Sequence, residues 1–165
     1  MTDRVYALYK AMETAVTAVN TLIQDGTSPD QISLITRDAD NKYAKYVDFD
    51  ADFDNVDAEE GSAFGSIVGA LTGLGVALIP GFGPLFATGP FAAALLAAIG
   101  AGSGAITGGI TATLLDFGAD THDIEYYEHI LREGGALVIV DTLTEQEQQK
   151  VEHTLADYHP LQSSD

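Results

Sequence analysis

Residues 61–115 contain no charged side chain, although the whole chain carries 25 Asp and Glu against 7 Lys and Arg. The flanking parts, residues 1–60 and 116–165, have net charges of −8 and −10. A helix that is apolar all round must be buried. The other 110 residues cannot easily enclose such a stretch. We therefore expect a lipid bilayer or other copies of the chain to cover it.

The composition excludes several classes of function. A net charge of −18 and a pI near 4.1 argue against nucleic-acid partners and against anionic lipid surfaces. There is no Cys, which excludes disulfides, thiol catalysis and Cys-type metal centres. The first ten residues lack the apolar core of a secretory signal. We expect a cytoplasmic protein, or one that is associated with a membrane and faces the cytoplasm.

The two charged parts predict an α+β fold. Periodicity and turn residues indicate elements in the order β-α-β-β-α-β, followed by a terminal helix. This order is typical of the ferredoxin-like split βαβ domain. Its halves are residues 1–60 and 116–165, and residues 61–115 form an inserted helical hairpin between them. The predicted elements are strands at 4–9, 31–37, 43–53 and 136–143, and helices at 11–23, 121–133 and 145–158.

The uncharged stretch has the spacing of a glycine zipper. Glycines recur every fourth residue, which on a helix makes a ridge without side chains where another backbone can approach closely. Pro80 and Pro84 flank a predicted hairpin tip, so one helix would end at Ile79 and the second would run from Pro90 to Leu115. The zipper glycines are Gly61, Gly65, Gly69, Gly73, Gly100, Gly104 and Gly108, and the tip residues are Pro80, Gly81, Phe82, Gly83 and Pro84.

Two environments for this hairpin remain open. Helices over 61–79 and 90–115 would measure roughly 28 and 39 Å, which is enough to cross a bilayer of about 30 Å. However, the stretch contains several Ser and Thr, and its flanks are acidic and lack the positive-inside signal. The leading expectation is a membrane-inserted or membrane-associated assembly of copies of the chain. The alternative is a soluble homo-oligomeric binding or regulatory module that buries its hairpin in the assembly.

One acidic segment is a candidate for metal binding. Asp48, Asp50, Asp52 and Glu59 occupy positions 1, 3, 5 and 12 of an EF-hand-like loop, which allows weak Ca²⁺ binding. Phe53 stands where that loop requires Gly, so a solvated face of a strand is the simpler interpretation. We expect no other cofactor.

No nucleophile or phosphate-binding motif is present in the sequence. His122 and His129 share a predicted helix with Glu125 and Glu128, but their spacing is not that of a metal-binding motif. We therefore expect no enzymatic activity.

Three segments carry a resemblance to a known family. "SPDQISLITRD", "IPGFGP…GP" and "YYEHILREGGALVIV" resemble bacterial general-stress proteins of the YflT-like type, described as heat- or low-temperature-induced. Some of those proteins have a Gly/Ala-rich insert. The resemblance implies a stress-associated protein with a structural or protective role, and it supplies no catalytic residues.

Overall fold

The computed structural model describes residues 3–38, 75–79, 82–100 and 105–162. A short 3₁₀ turn precedes the second strand. The strands and helices of the described part are, in chain order, β1 (Asp3–Tyr9), α1 (Met12–Gln24), β2 (Ile32–Arg37), β3 (Gly75–Ile79), β4 (Gly83–Ala87), α2 (Gly89–Gly100), α3 (Ala105–Asp116), α4 (Thr121–Arg132), β5 (Ala136–Thr142) and α5 (Glu145–Ala156).

The five strands form one sheet in the order β1-β5-β2-β4-β3. Every neighbouring pair is antiparallel. The last strand of the chain therefore lies between the first two, and β1 and β2 run parallel to each other on either side of it. This arrangement confirms the predicted α+β class, and the sheet is antiparallel throughout.

Helices cover both faces of the sheet. The apolar side chains of β5 alternate between the two faces, and each set is buried by helices. Val138 and Val140 belong to a core with α1 and α5, whereas Leu137 and Ile139 belong to a second core with α2, α3 and α4. The run Ala136–Val140 is fully buried, which explains its continuous apolar sequence. Leu22 of α1 is also buried in the first core.

The second core corrects one expectation about the uncharged stretch. Phe91 and Leu95 of α2, with Ile110 and Leu114 of α3, are buried against the sheet of the same chain. The rest of the chain thus encloses one side of this described part, although we expected that it could not easily do so. The reason is that the sheet has a second apolar face, and α2 and α3 pack against it.

The predicted helical hairpin is also wrong in two places. Residues 75–79, which we assigned to the end of a helix over 61–79, form strand β3. The predicted helix from Pro90 to Leu115 is divided into α2 and α3, with residues 101–104 outside the described part. Short apolar runs do not distinguish a buried strand from a buried helix by periodicity, which is the physical reason for the first error. The predicted strand at 43–53 lies outside the described residues.

Candidate self-association surface

The start of α2 is fixed against β2 by close backbone packing. Gly89 has a φ of +70°, and a Cβ at this position would lie 2.1 Å from the Ile32 carbonyl oxygen. The Phe91 amide donates to Ser33 Oγ at 3.0 Å, and the Leu34 amide donates to Thr88 Oγ1 at 3.0 Å. These contacts determine which side of α2 faces the sheet.

One side of α2 is left uncovered by the described residues. Phe91, Ala92 and Leu95 are buried, and the Phe91 ring meets the edge of Phe117 at a centroid distance of 5.4 Å. The opposite side exposes Ala93, Ala94 and Ala97, which we call the alanine face. The helix contains no charged residue. A second backbone could approach the alanine face closely, since only methyl groups stand between.

The hairpin turn beside this helix is held by two arginines. Phe82 is only 3% exposed, and Arg37 Nε donates to its carbonyl oxygen at 2.8 Å. The Arg132 guanidinium lies 4.9 Å from the centre of the Phe82 ring, and the guanidinium of Arg37 lies 6.0 Å from it. Sequence reasoning missed these two residues as partners of the tip, because Arg37 and Arg132 are both far from it along the chain.

A polar bridge joins α3 to α4. Thr111 Oγ1 donates to Glu128 Oε2 at 2.8 Å, and Arg132 Nη2 donates to Glu128 Oε1 at 2.7 Å. The hydrogen bond from Arg132 is the main reason that the pKa of Glu128 lies below its ordinary value, and the bond from Thr111 adds to it. Leu115, near the end of α3, remains 43% exposed.

A second arginine cluster fixes the link between α3 and α4. Arg4 Nε donates to Asp141 Oδ1 at 2.8 Å, and its guanidinium lies 3.8 Å from the centre of the Phe117 ring. Tyr6 donates to the Phe117 carbonyl oxygen at 3.2 Å and stacks on Tyr127 at 6.1 Å. Burial raises the pKa of Tyr127 to about 12, assisted by nearby carboxylates. Arg4 and Tyr6 donate their hydrogen bonds to groups within the fold, so we assign this cluster a structural role.

The predicted site residues fall partly inside the described structure. Gly100 ends α2 and Gly108 lies within α3, while Phe82, Gly83 and Pro84 lie at the turn and start of β4. The tip is therefore that of a β-hairpin. The residues outside the described part are Gly61, Gly65, Gly69, Gly73, Gly104, Pro80 and Gly81, together with the candidate metal ligands Asp48, Asp50, Asp52 and Glu59.

The titratable residues of α4 form no metal site. Within residues 3–38, 75–79, 82–100 and 105–162, no three His, Asp or Glu side chains are grouped so that they could hold an ion. His129 instead lies 3.6 Å from Glu133, one helical turn further along.

The fold and this surface define an α+β protein with helices on both faces of the sheet. β3, β4 and α2 carry no charged residue, and we call these three elements the uncharged side. The chain matches no protein-family model, and no curated protein or solved structure is significantly similar to it. The resemblance to YflT-like stress proteins stays a prediction. None of the helices in the described ranges has the length and apolarity to cross a bilayer.

Proposed function

We propose that this protein is a non-enzymatic module that associates with copies of itself through its uncharged side. The observation that carries the proposal is the exposed alanine face of α2 in a chain of net charge −18. In this view the antiparallel sheet with its covering helices is the scaffold that presents the uncharged side. We expect the predicted zipper glycines to contribute to the same association, and the proposed role is structural or protective during stress.

Electrostatics supports contact between copies on this side rather than any other. Two chains of the same strong negative charge repel one another wherever their acidic surfaces meet. Strands β3 and β4 and helix α2 carry no charged residue, so their apposition does not bring like charges into contact. Small side chains also lose little conformational freedom when they become buried. Contact between copies on this side therefore meets less electrostatic repulsion than contact between their acidic surfaces.

A charge placed on the alanine face tests this proposal. Ala94→Glu keeps good helix propensity but would bury a carboxylate between copies, so we expect the association constant to fall by at least about tenfold. Sedimentation equilibrium or light scattering over a range of protein concentrations measures it. Gln149→Glu, on the exposed side of α5, adds the same charge elsewhere and is the matched control.

The outcomes separate the candidate environments. A wild-type chain that stays monomeric at all concentrations overturns the proposal. Co-flotation with neutral lipid vesicles, lost in Ala94→Glu and without self-association, would instead favour the membrane function that the sequence predicts. Equal weakening by Ala94→Glu and Gln149→Glu would show a general effect of charge and no interface at α2.

A further inference from the structure

The two edges of the sheet are built differently. The β1 edge carries Asp3 and Arg4, and the Leu161 amide donates to the Leu8 carbonyl oxygen at 2.7 Å, so part of this edge is already paired. The β3 edge has the sequence Gly-Val-Ala-Leu-Ile, without charge or Pro. Natural sheet edges are normally protected by charges, Pro, bulges or covering segments. No described residue pairs with the outer side of β3.

The hydrogen-bond pattern shows which backbone groups of β3 point outward. The Asp38 amide donates to the Pro84 carbonyl oxygen at 2.9 Å, so Pro84 directs its carbonyl towards β2. The backbone amide and carbonyl of its neighbour Leu85 therefore point towards β3, where Leu85 stands opposite Ala77. The backbone groups of Ala77 consequently point into the sheet. Those of Val76 and Leu78 point to the open edge.

We propose that β3 pairs with β3 of a second copy, antiparallel about a two-fold axis, to give one continuous sheet. This inference rests on the proposed self-association and names its contact. Identical strands related by a two-fold axis pair antiparallel, so the outward amides of each strand face the outward carbonyls of the other. The outward amides and carbonyls of Val76 and Leu78 become the bonds between copies.

A second copy is the occupant that the charges favour. β3, its neighbour β4 and the adjacent α2 contribute no charge, so pairing of two copies along β3 brings no charged group of these three elements together. Helix α3 also contacts β3, and its charged residue, Asp116, is its last. A partner of opposite charge would find no complementary group on these three elements. The alanine face lies on a helix that contacts β3, so the two surfaces belong to the same side of the molecule.

Proline at an outward position tests the pairing without breaking the sheet. Leu78→Pro removes an amide that points away from β4, which edge strands tolerate, and it removes half of the backbone donors between copies. We expect association to weaken by at least about tenfold, with unfolding of the monomer unchanged relative to Leu78→Ala. Leu78→Ala is the matched control, because it truncates the side chain but keeps the amide and therefore the dimer.

Hydrogen exchange of the wild-type chain gives a second test that needs no variant. The Val76 and Leu78 amides should be protected at high protein concentration and exchange rapidly on dilution, whereas the inward Ala77 amide stays protected throughout. Fast exchange of Val76 and Leu78 at every concentration overturns the pairing. Protection that does not change on dilution also overturns it, since the chain itself would then cover the edge.

The two proposals fail separately. A chain that does not associate at all refutes both. A wild-type oligomer that Leu78→Pro leaves intact, while Ala94→Glu disrupts it, refutes the strand pairing and retains self-association through α2.

Discussion

Gly89 and Ile32 are in contact so close that only glycine fits, since a Cβ on residue 89 would lie 2.1 Å from the Ile32 carbonyl oxygen. This contact, combined with a φ of +70°, makes Gly89 the point where the uncharged part of the chain is fixed to the sheet. It also decides that α2 presents its alanines outward. The strongest prediction for stability follows from it.

Gly89→Ala should destabilise the fold by on the order of 3 kcal/mol or more, because it adds an overlap with backbone to a positive φ. Gly26→Ala is the matched control, since Gly26 has a φ of +99° but open space around it. The control isolates the conformational strain and should cost about 1 kcal/mol. Urea unfolding of both variants measures the difference. Equal losses would contradict the assigned packing of α2 on β2.

Acid should remove the stabilising contribution of Glu128. Its pKa is lowered in the folded chain, first by the hydrogen bond from Arg132, so its contribution is full above the ordinary value of 4.5 and is lost as the pH falls through the folded value. Because the pair is partly exposed, Glu128→Gln should cost only about 0.5 kcal/mol at neutral pH. The deficit should shrink below the ordinary pKa. Urea unfolding at a series of pH values tests this, and a deficit that grows in acid would refute the bridge.

Alkali should act on Tyr127 in the opposite direction. Burial, the largest cause, and then Asp123 raise its pKa from 10.0 to about 12. A raised folded pKa gives stability that is complete below the unfolded value of 10.0 and is lost as the pH rises through the folded value. Tyr127→Phe should therefore show a shallower loss of stability between these two values. Its unfolding free energy as a function of pH tests the prediction, which a curve parallel to the wild-type curve would exclude.

Salt should strengthen association between copies. Their acidic surfaces repel over about 8 Å at physiological ionic strength, whereas the uncharged contact responds little to salt. Light scattering over a series of NaCl concentrations should show the association constant rising, with a larger effect for divalent cations. Steady dissociation with added salt would mean that attractive ion pairs hold the copies together.

The charged parts of the chain were largely predictable from sequence. The predicted strand at 136–143 corresponds to β5, and the predicted helix at 121–133 corresponds to α4. These elements have strong patterns of apolar residues and clear ends. The start of α5 is equally clear, since the Thr144 hydroxyl accepts a hydrogen bond from the Glu147 amide. Local signals were sufficient there because each element also has a polar side or a distinct end.

The uncharged part was less predictable because it lacks a polar side. Without it, the sequence Gly75–Ile79 fits either a helix or a strand, and only pairing with β4 decides between them. The contact of Gly89 with Ile32 and the two arginines around Phe82 join positions that are distant along the chain. Sequence patterns report short-range spacing and contain little information on such contacts.

The position of β5 has a consequence for synthesis of the chain. β1 ends at Tyr9, yet its partner strand in the sheet is β5, which begins only at Ala136. During synthesis β1 therefore leaves the ribosome long before its partner strand and stays unpaired until β5 has emerged, which is a condition under which nascent chains aggregate or recruit chaperones. Chain closure over this separation also slows folding. Pairing of β1 and β2 with β5 waits until all the described helices from α1 to α4 have been made.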